Sequence, residues 1–328
     1  MKLSIALCTY NGERHIADQL DSYMKQTRPP DEVVICDDCS TDSTLSLVKA
    51  FAKTATFPVR VYVNESNLGC RVNFEKAAAL CEGDVILLSD QDDFWYPHKL
   101  KRVEETLGSV PQAGALFSDA DLVDEKLNPL GRTLWQAKRF GRSLQTMVMQ
   151  GRSTEAVLKA NDSWFGMSIA FRSEYRKFLM PFPPKIAHDK WIILLIAFAA
   201  EVTLIPEPLI QYRQHDANLT GIRVQPVYER MASAIMKERN RPRQRTYAGK
   251  TKPYEALRNR LAQLKTLPDI NLKLNLLDQK IRHLQRRANM PRRRLYRIPY
   301  VINECFHRGY SRFSEGLIDV ARDLLERD

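Results

Sequence analysis

Three carboxylates stand within four residues at the end of an aliphatic run: Asp90, Asp92 and Asp93 follow Val85-Ile86-Leu87-Leu88-Ser89. The run reads as a buried strand. Acids a few ångströms apart cannot all ionise without compensation. The chemistry this spacing serves is capture of a hard divalent cation, Mg²⁺ or Mn²⁺, which takes oxygen ligands and shares one or two carboxylates with substrate phosphates. In an open α/β sheet such ligands sit at the carboxyl ends of the strands. A plain acidic turn opening the next helix would use the same residues, because Asp is favoured at a helix start. The choice between the two rests on what else the chain carries. A further acid, Asp189, begins the strongly apolar stretch Trp191–Ala200, where a negative charge suits a helix N-terminus.

The elements that must position these acids alternate in type. Lys2–Cys8 reads as a strand, Thr9-Tyr10-Asn11-Gly12 as a turn, and Arg14–Lys25 as a helix with Ile16, Leu20 and Met24 on one face. Glu32–Cys36 is a strand closing on Asp37-Asp38, with Ser40 or Thr41 as cap of the helix that follows. Val59–Val63 is a third strand, followed by the loop Asn64–Gly69 and a helix through Leu80 that Gly83 ends. Alternation at this spacing predicts a parallel sheet with right-handed crossovers. The first turn holds one glycine, so the Gly-x-Gly-x-x-Gly cradle of dinucleotide binding is absent. Carboxylates at strand ends suit instead a nucleotide whose base and ribose are held by side chains and whose diphosphate is held by a metal.

Beyond the acidic strand, Pro97–Leu107 reads as a proline-started helix and Ala115–Asp119 as a strand, with Phe140–Gln150 a lid or an acceptor-facing helix. Ser163–Phe171 has strand character, and Glu201–Pro206 is a short strand leading through Tyr212 and Arg213 to His215. The charge is unevenly spread: between Lys237 and Arg312 stand 21 Lys or Arg against 5 Asp or Glu, within a whole chain of net charge +11. The remainder is therefore acidic, which predicts a catalytic part and a basic arm that meets something anionic. Leu277, Ile281 and Leu284 share a helix face, and Arg282, Arg286 and Arg287 crowd around it before Arg292-Arg293-Arg294. Basic amphipathic helices lie on anionic membrane surfaces. Nucleic acid would attract the same charge, but no nucleic-acid motif is present and no such partner is expected. A solvated extension packed on the catalytic part, or a homodimer, stays open. Six cysteines without a completed zinc pattern fit a reduced, cytoplasmic compartment. The N-terminus runs straight into a strand, so no signal peptide is expected.

Four blocks in order carry a resemblance: Thr9-Tyr10-Asn11, Asp37-Asp38-x-Ser40-x-Asp42, Asn67-x-Gly69 and Asp90-x-Asp92-Asp93. Together they resemble the family 2 glycosyltransferases, over roughly the first 120 residues. The stretch Ser89-Asp90-Gln91-Asp92-Asp93-Phe94-Trp95-Tyr96-Pro97-His98-Lys99-Leu100 is similar to bacterial rhamnosyltransferases, as is Tyr212-Arg213-Gln214-His215 with Asn218 and Gly221. The resemblance implies a GT-A fold: an α/β, Rossmann-like, mostly parallel sheet with flanking helices over residues 1–222, with a nucleotide-sugar half at 1–120 and an acceptor half at 121–222. A basic helical region at 223–328 completes it. It implies a nucleotide site of Thr9, Tyr10, Asn11, Glu13, Asp38, Arg71, Asn73, Asp90 and Gln91, with Asp38 accepting from a pyrimidine imide. A metal, Mn²⁺ or Mg²⁺, would sit on Asp90 and Asp92, joined by His215 or left to them alone. Asp189 would be the general base that deprotonates an acceptor hydroxyl. Asp93, Trp95, His188, Trp191 and Arg213 would border sugar or acceptor.

The implied reaction is inverting transfer of a hexose, with rhamnose from dTDP-rhamnose first among donors and UDP-glucose, UDP-galactose or UDP-N-acetylhexosamine as alternatives. The implied acceptor is a bacterial cell-surface glycan, such as O-antigen, or its polyprenyl-diphosphate-linked precursor, met at the inner face of the cell membrane. Two rivals come from other classes. A haloacid-type phosphatase also carries Asp-x-Asp after a strand, but needs its nucleophile near the N-terminal strand and a Thr after the pair, and Asp92-Asp93-Phe94 supplies none. A non-enzymatic basic adaptor for membrane or nucleic acid would not bind dTDP or UDP with a metal.

Overall fold

The computed structural model describes residues 1–160, 164–216, 218, 243–264 and 267–325. Ser163 and Gly221, named above, lie outside them, as does the start of the basic region. The chain divides into two units, Met1–Ser153 with Asp162–Ile222, and Thr154–Asn161 with Arg223–Asp328.

In the first unit, β1 (Leu3–Thr9), β2 (Glu32–Asp37), β3 (Val59–Val63) and β4 (Val85–Ser89) alternate with α1 (Ile16–Met24), α2 (Thr44–Thr54) and α3 (Cys70–Leu80). β5 (Phe94–Trp95), α4 (Lys99–Ser109), β6 (Ala113–Val123), β7 (Pro129–Thr133), α5 (Leu134–Lys138) and α6 (Arg142–Met149) follow. After α7 (Ser153–Lys159), which from Thr154 on belongs to the second unit, come β8 (Ile169–Arg172), α8 (Arg176–Leu179), α9 (His188–Ala199) and β9 (Glu201–Arg213). Among the described residues the strands form one sheet in the order β3-β2-β1-β4-β8-β6-β9-β5, with β7 on β6. The β3-β2-β1-β4 half is parallel. β8 inserts antiparallel between β4 and β6, and β6 pairs parallel with β9. Leu3, Ile5, Leu7, Val33, Ile35, Ile86 and Leu88 are wholly buried, as expected of central strands covered on both faces. In register, Leu7 lies beside Ser89 and Thr9 beside Asp37, so the ends of β1, β2 and β4 open on one edge.

Three elements differ from the expectation. Among the described residues, the strand character read over Ser163–Phe171 is realised only from Ile169, after a single turn at Gly166–Ser168. β6 extends to Val123, well past Asp119, because it is paired on both sides and its residues are nearly all buried. The short strand expected at Glu201–Pro206 is longer: β9 runs on through Pro206 and Pro208 to Arg213. Its register with β6 shifts between Ser118 and Asp119, opposite Ile205 and Pro208. A bulge there absorbs the prolines, which cannot donate to the ladder, and the strand continues to Arg213.

The second unit holds α10 (Arg243–Gln263), α11 (Ile270–Ala288), α12 (Ile298–Phe306), α13 (Gly309–Phe313) and α14 (Leu317–Leu325). Leu257, Leu261, Leu277, Ile281 and Leu284 are buried, so the apolar stripes read from sequence face this unit's own interior. Some of the cations face inward with them. Lys280 Nζ donates to the carbonyls of Leu158 and Phe313, at 2.8 and 2.6 Å. Arg287, 3% exposed, donates to Asp323 at 2.7 Å and to Asp319 at 2.8 Å. Arg297 is fully buried and donates to the carbonyls of Pro291, Arg292 and Asp323. The expected crowd of arginines around Leu277, Ile281 and Leu284 is thus partly a structural core, because each buried cation has acceptors waiting for it. Among the described residues no helix is long and apolar enough to cross a membrane.

Burial by itself would raise the Asp319 carboxyl, but the Arg287 guanidinium overcomes it and holds the group down at about 2. A depressed carboxyl stabilises the folded state above its unfolded value near 4, and that contribution fades as pH falls from about 4 toward 2. The helical signal should accordingly weaken over that window in a circular-dichroism titration. Arg287→Met should destabilise the protein by ~3–5 kcal/mol in chemical denaturation, since it takes the guanidinium away from buried Asp323 and leaves buried Asp319 with Arg322 alone of its two arginines.

Candidate active site

β4 delivers the acidic turn to the open edge of the sheet. Ser89 is anchored by the Tyr23 hydroxyl, which donates to it at 2.6 Å. Burial, then the charges of Asp92 and Asp189, push the Asp90 carboxyl up to about 7. Asp93 is wholly buried, and burial followed by Asp92 and Asp90 raises it well above the carboxylate range. Its Oδ1 accepts from the Arg213 backbone N–H at 3.1 Å, and its Oδ2 has no hydrogen-bond partner. The internal cation facing Asp93 and Asp90 is Lys99, 2% exposed, whose ammonium burial drives well below its ordinary value. Lys99 Nζ donates to the Met167 carbonyl at 2.8 Å and lies 3.5 Å from the centre of the Trp95 ring.

Arg213, at the end of β9, ties this turn in place. Its Nε donates to the Asp92 carbonyl at 2.8 Å, one terminal nitrogen donates to the Glu125 carbonyl, and the other reaches Asp18 at 2.8 Å. Two residues on, His215 Nε2 meets Asp92 Oδ2 at 2.9 Å, and its ring lies 4.8 Å from that of His15. The bulged strand therefore brings His215 to the acidic turn.

Asp189 approaches from α9. It sits in the first turn rather than at the cap, which is Ala187, and its Oδ1 accepts from the Lys190 backbone N–H at 2.6 Å. Cys70, at the start of α3, registers the convergence: desolvation, then the charges of Asp90, Asp189 and Asp38, push its thiol up to about 12. Acids from three separate elements therefore surround one region.

The loops after β1 and β2 are stitched together. Asn11, at a positive φ of 48°, donates its N–H to Ser40 Oγ at 2.9 Å, and its Oδ1 accepts from the Thr41 N–H at 2.8 Å. Glu13 and Asp42 exchange similar bonds with the opposite backbone. Gln91 holds the Tyr10 backbone at both N–H and carbonyl, 2.8 and 3.0 Å. A Cβ at Gly12 would push the Gln91 amide off the Tyr10 backbone.

Several residues expected at the site are buried and bonded within the chain. Thr9, 1% exposed, donates its hydroxyl to Asp37. Asp38, 2% exposed, spends its oxygens on Asn64 and on the Leu68 and Gly69 N–H groups. Asn73 is buried between Cys36 and Asn64, and Arg71 donates to the Phe182 carbonyl at 2.9 Å. Trp95 and Trp191 lie in the core, Trp191 donating to the Leu179 carbonyl. Asp93 and Arg213 are buried and brace the turn. His188 is buried on Phe74, with ring centres 4.1 Å apart, and its Nε2 lacks a hydrogen-bond partner. Half-buried Asp90, Asp92 and Asp189, with exposed Tyr10, remain at the surface of the edge.

Among the described residues no three His, Cys, Asp or Glu side chains form a preformed metal cage. The donor set of Asp90, Asp92 and His215 nevertheless fits a hard cation: the carboxylates crowd one another, and Asp92 and His215 already meet. Such an ion would complete its coordination with oxygens from outside the chain.

Residues 4–142 match the family model described as Glycosyl transferase family 2. An uncharacterized glycosyltransferase of Nostoc sp. is 26% identical over 224 residues, 66% of this chain and 66% of that protein. The chain spans less than two thirds of the length of the curated relatives it first matches. The fold is similar to that of a fragment of Staphylococcus aureus TarS (TM-score 0.57, 18% identity, 99% of this chain and 81% of that one), a fragment also solved with UDP-GlcNAc. It is also similar to the mannosyltransferase PcManGT of Pyrobaculum calidifontis in complex with GDP-Man and Mn²⁺ (TM-score 0.53, 17% identity, 93% and 75%).

Sequence reading missed Lys99, Asp18 and His15. Lys99 did leave a signal, since a cation in the first turn of a helix opposes the helix dipole. Asp18 and His15 left none, because their partners Arg213 and His215 arrive from the end of β9 and the segment after it. Arg213→Lys keeps the charge but loses the planar fork. It should lower stability by ~2–4 kcal/mol in chemical denaturation, as His215 and the turn loosen.

Proposed function

Residues 4–142 are a family 2 glycosyltransferase region and the sheet has the GT-A fold, and from that premise we propose that the protein transfers a hexose, with inversion, from a nucleoside-diphosphate donor to an acceptor hydroxyl. The observation that carries this is the Asp90 carboxyl, which feels Asp92 on its own turn and Asp189 from α9. The candidate metal-binding acids and the candidate base thus share one region.

Asp90 and Asp92, with His215 beside Asp92, would hold Mn²⁺ or Mg²⁺, and the ion would neutralise charge on the departing diphosphate. The bracing of the turn by Arg213 and Lys99 keeps those side chains in position without reorganisation. Tyr10, held by Gln91, presents an exposed ring to the base, while Asp38 orders the Leu68–Gly69 backbone beneath it. Asp189 takes the proton of the attacking hydroxyl, a role a half-exposed carboxylate performs as the alcohol becomes acidic in the transition state. The names of the relatives support a nucleotide-sugar donor. dTDP-rhamnose is the first donor to test, with UDP-linked hexoses and N-acetylhexosamines beside it, and a cell-surface glycan or its lipid-linked precursor is the acceptor class.

A thermal-shift panel of nucleotide sugars with Mn²⁺ should show one donor stabilising the protein, and EDTA should remove the shift. Asp92→Ala should lose it as well. Asp189→Asn should keep the shift but lower transfer by at least ~10²-fold. The base assignment fails if Asp189→Asn turns over normally, and the whole reading fails if no nucleoside diphosphate binds. The anomeric configuration of the product, read by NMR, tests inversion.

A further inference from the structure

From Arg292 to Arg308 the second unit presents an apolar stripe that its own fold leaves uncovered. Arg297, Val301 and Glu304 turn inward. Outside, Leu295 is 79% exposed and Phe306 83%, with Tyr296, Ile298, Tyr300 and Ile302 between 44% and 61%. Ile298, Ile302 and Phe306 recur every four residues, so they form one stripe along α12. Arg292, Arg293, Arg294 and Arg308 are exposed in the same segment. Its single acid, Glu304, is 2% exposed and is occupied by His283 at 2.6 Å and Arg286 at 3.0 Å. The segment thus shows water four guanidinium groups, large apolar side chains and no carboxylate.

We infer that residues 292–308 form a docking face for the surface of an anionic lipid bilayer. A bilayer uses both halves of this surface. The apolar stripe enters the boundary between headgroups and acyl chains, and the arginines stay with the lipid phosphates. Tyr296 and Tyr300 carry the amphipathic rings favoured at that depth. A second copy of the chain would set arginines against arginines, and a nucleic acid would leave Leu295, Ile298 and Ile302 without a role. The face keeps Arg292-Arg293-Arg294 of the basic arm read from sequence but not Leu277, Ile281, Leu284 and Arg287, which are internal.

The test is cosedimentation of the full chain with vesicles of phosphatidylglycerol and phosphatidylcholine against vesicles of phosphatidylcholine alone. Binding is expected to the first only and should weaken with salt. R292E/R293E/R294E should weaken it by about a hundredfold. I302S/F306S should weaken it by at least about tenfold, with both variants keeping the parent melting temperature. Equal binding to both vesicle types, retention by the charge-reversed variant, or a dimer that I302S/F306S dissolves would each overturn the inference. The assay needs no donor sugar, so its failure is read separately from failure of the catalytic reading.

Discussion

Carboxylates crowded at the end of a buried strand repel one another, and the first unit is arranged around containing that repulsion. Asp90, Asp92 and Asp93 project from β4, and Asp189 adds its charge from α9. The chain answers with Lys99 beneath the turn and Arg213 across it, yet burial weakens the hold of Lys99 on its proton. Asp90 therefore stays short of compensation. A cluster left in that state is prepared for a cation from solution, and raised carboxyls of this kind mark functional sites more often than structural ones.

Placement of Arg213 and His215 depends on one strand. β9 crosses two prolines by shifting register against β6, then continues to Arg213 and, just beyond, His215. Without the bulge the strand would break at Pro206, and neither residue would reach the acidic turn. On the opposite side, the loops after β1 and β2 bond to each other through Asn11, Glu13, Ser40 and Asp42. Residues that look like ligand contacts in sequence thus act first as a frame that sets the rim of the edge.

The second unit uses its positive charge in two ways. Lys280, Arg287 and Arg297 are interior groups with satisfied donors, and they order the helices around Asp319, Asp323 and backbone carbonyls. Arg292, Arg293, Arg294 and Arg308 remain in water beside uncovered apolar side chains. Net charge alone does not distinguish these roles, because a buried cation with acceptors contributes to folding and presents nothing to a partner.

Local pattern was enough to read the alternating strands and helices of residues 1–109 and the acidic turn, because apolar periodicity and strand-end acids are written in neighbouring residues. The four blocks carried the family resemblance for the same reason. Burial was not legible: Thr9, Asp38, Asp93, Trp95, Trp191 and Arg213 have the residue types of ligand contacts, and only packing shows them turned inward. Arg213 meets Asp18 across 195 positions and His215 meets Asp92 across 123, and separations of that size leave no periodic trace. Neighbouring residues alone place the acids at the strand ends. Tertiary structure decided which of them face solvent, which cations answer them and which arginines remain outside, because those depend on contacts between segments that are distant along the chain.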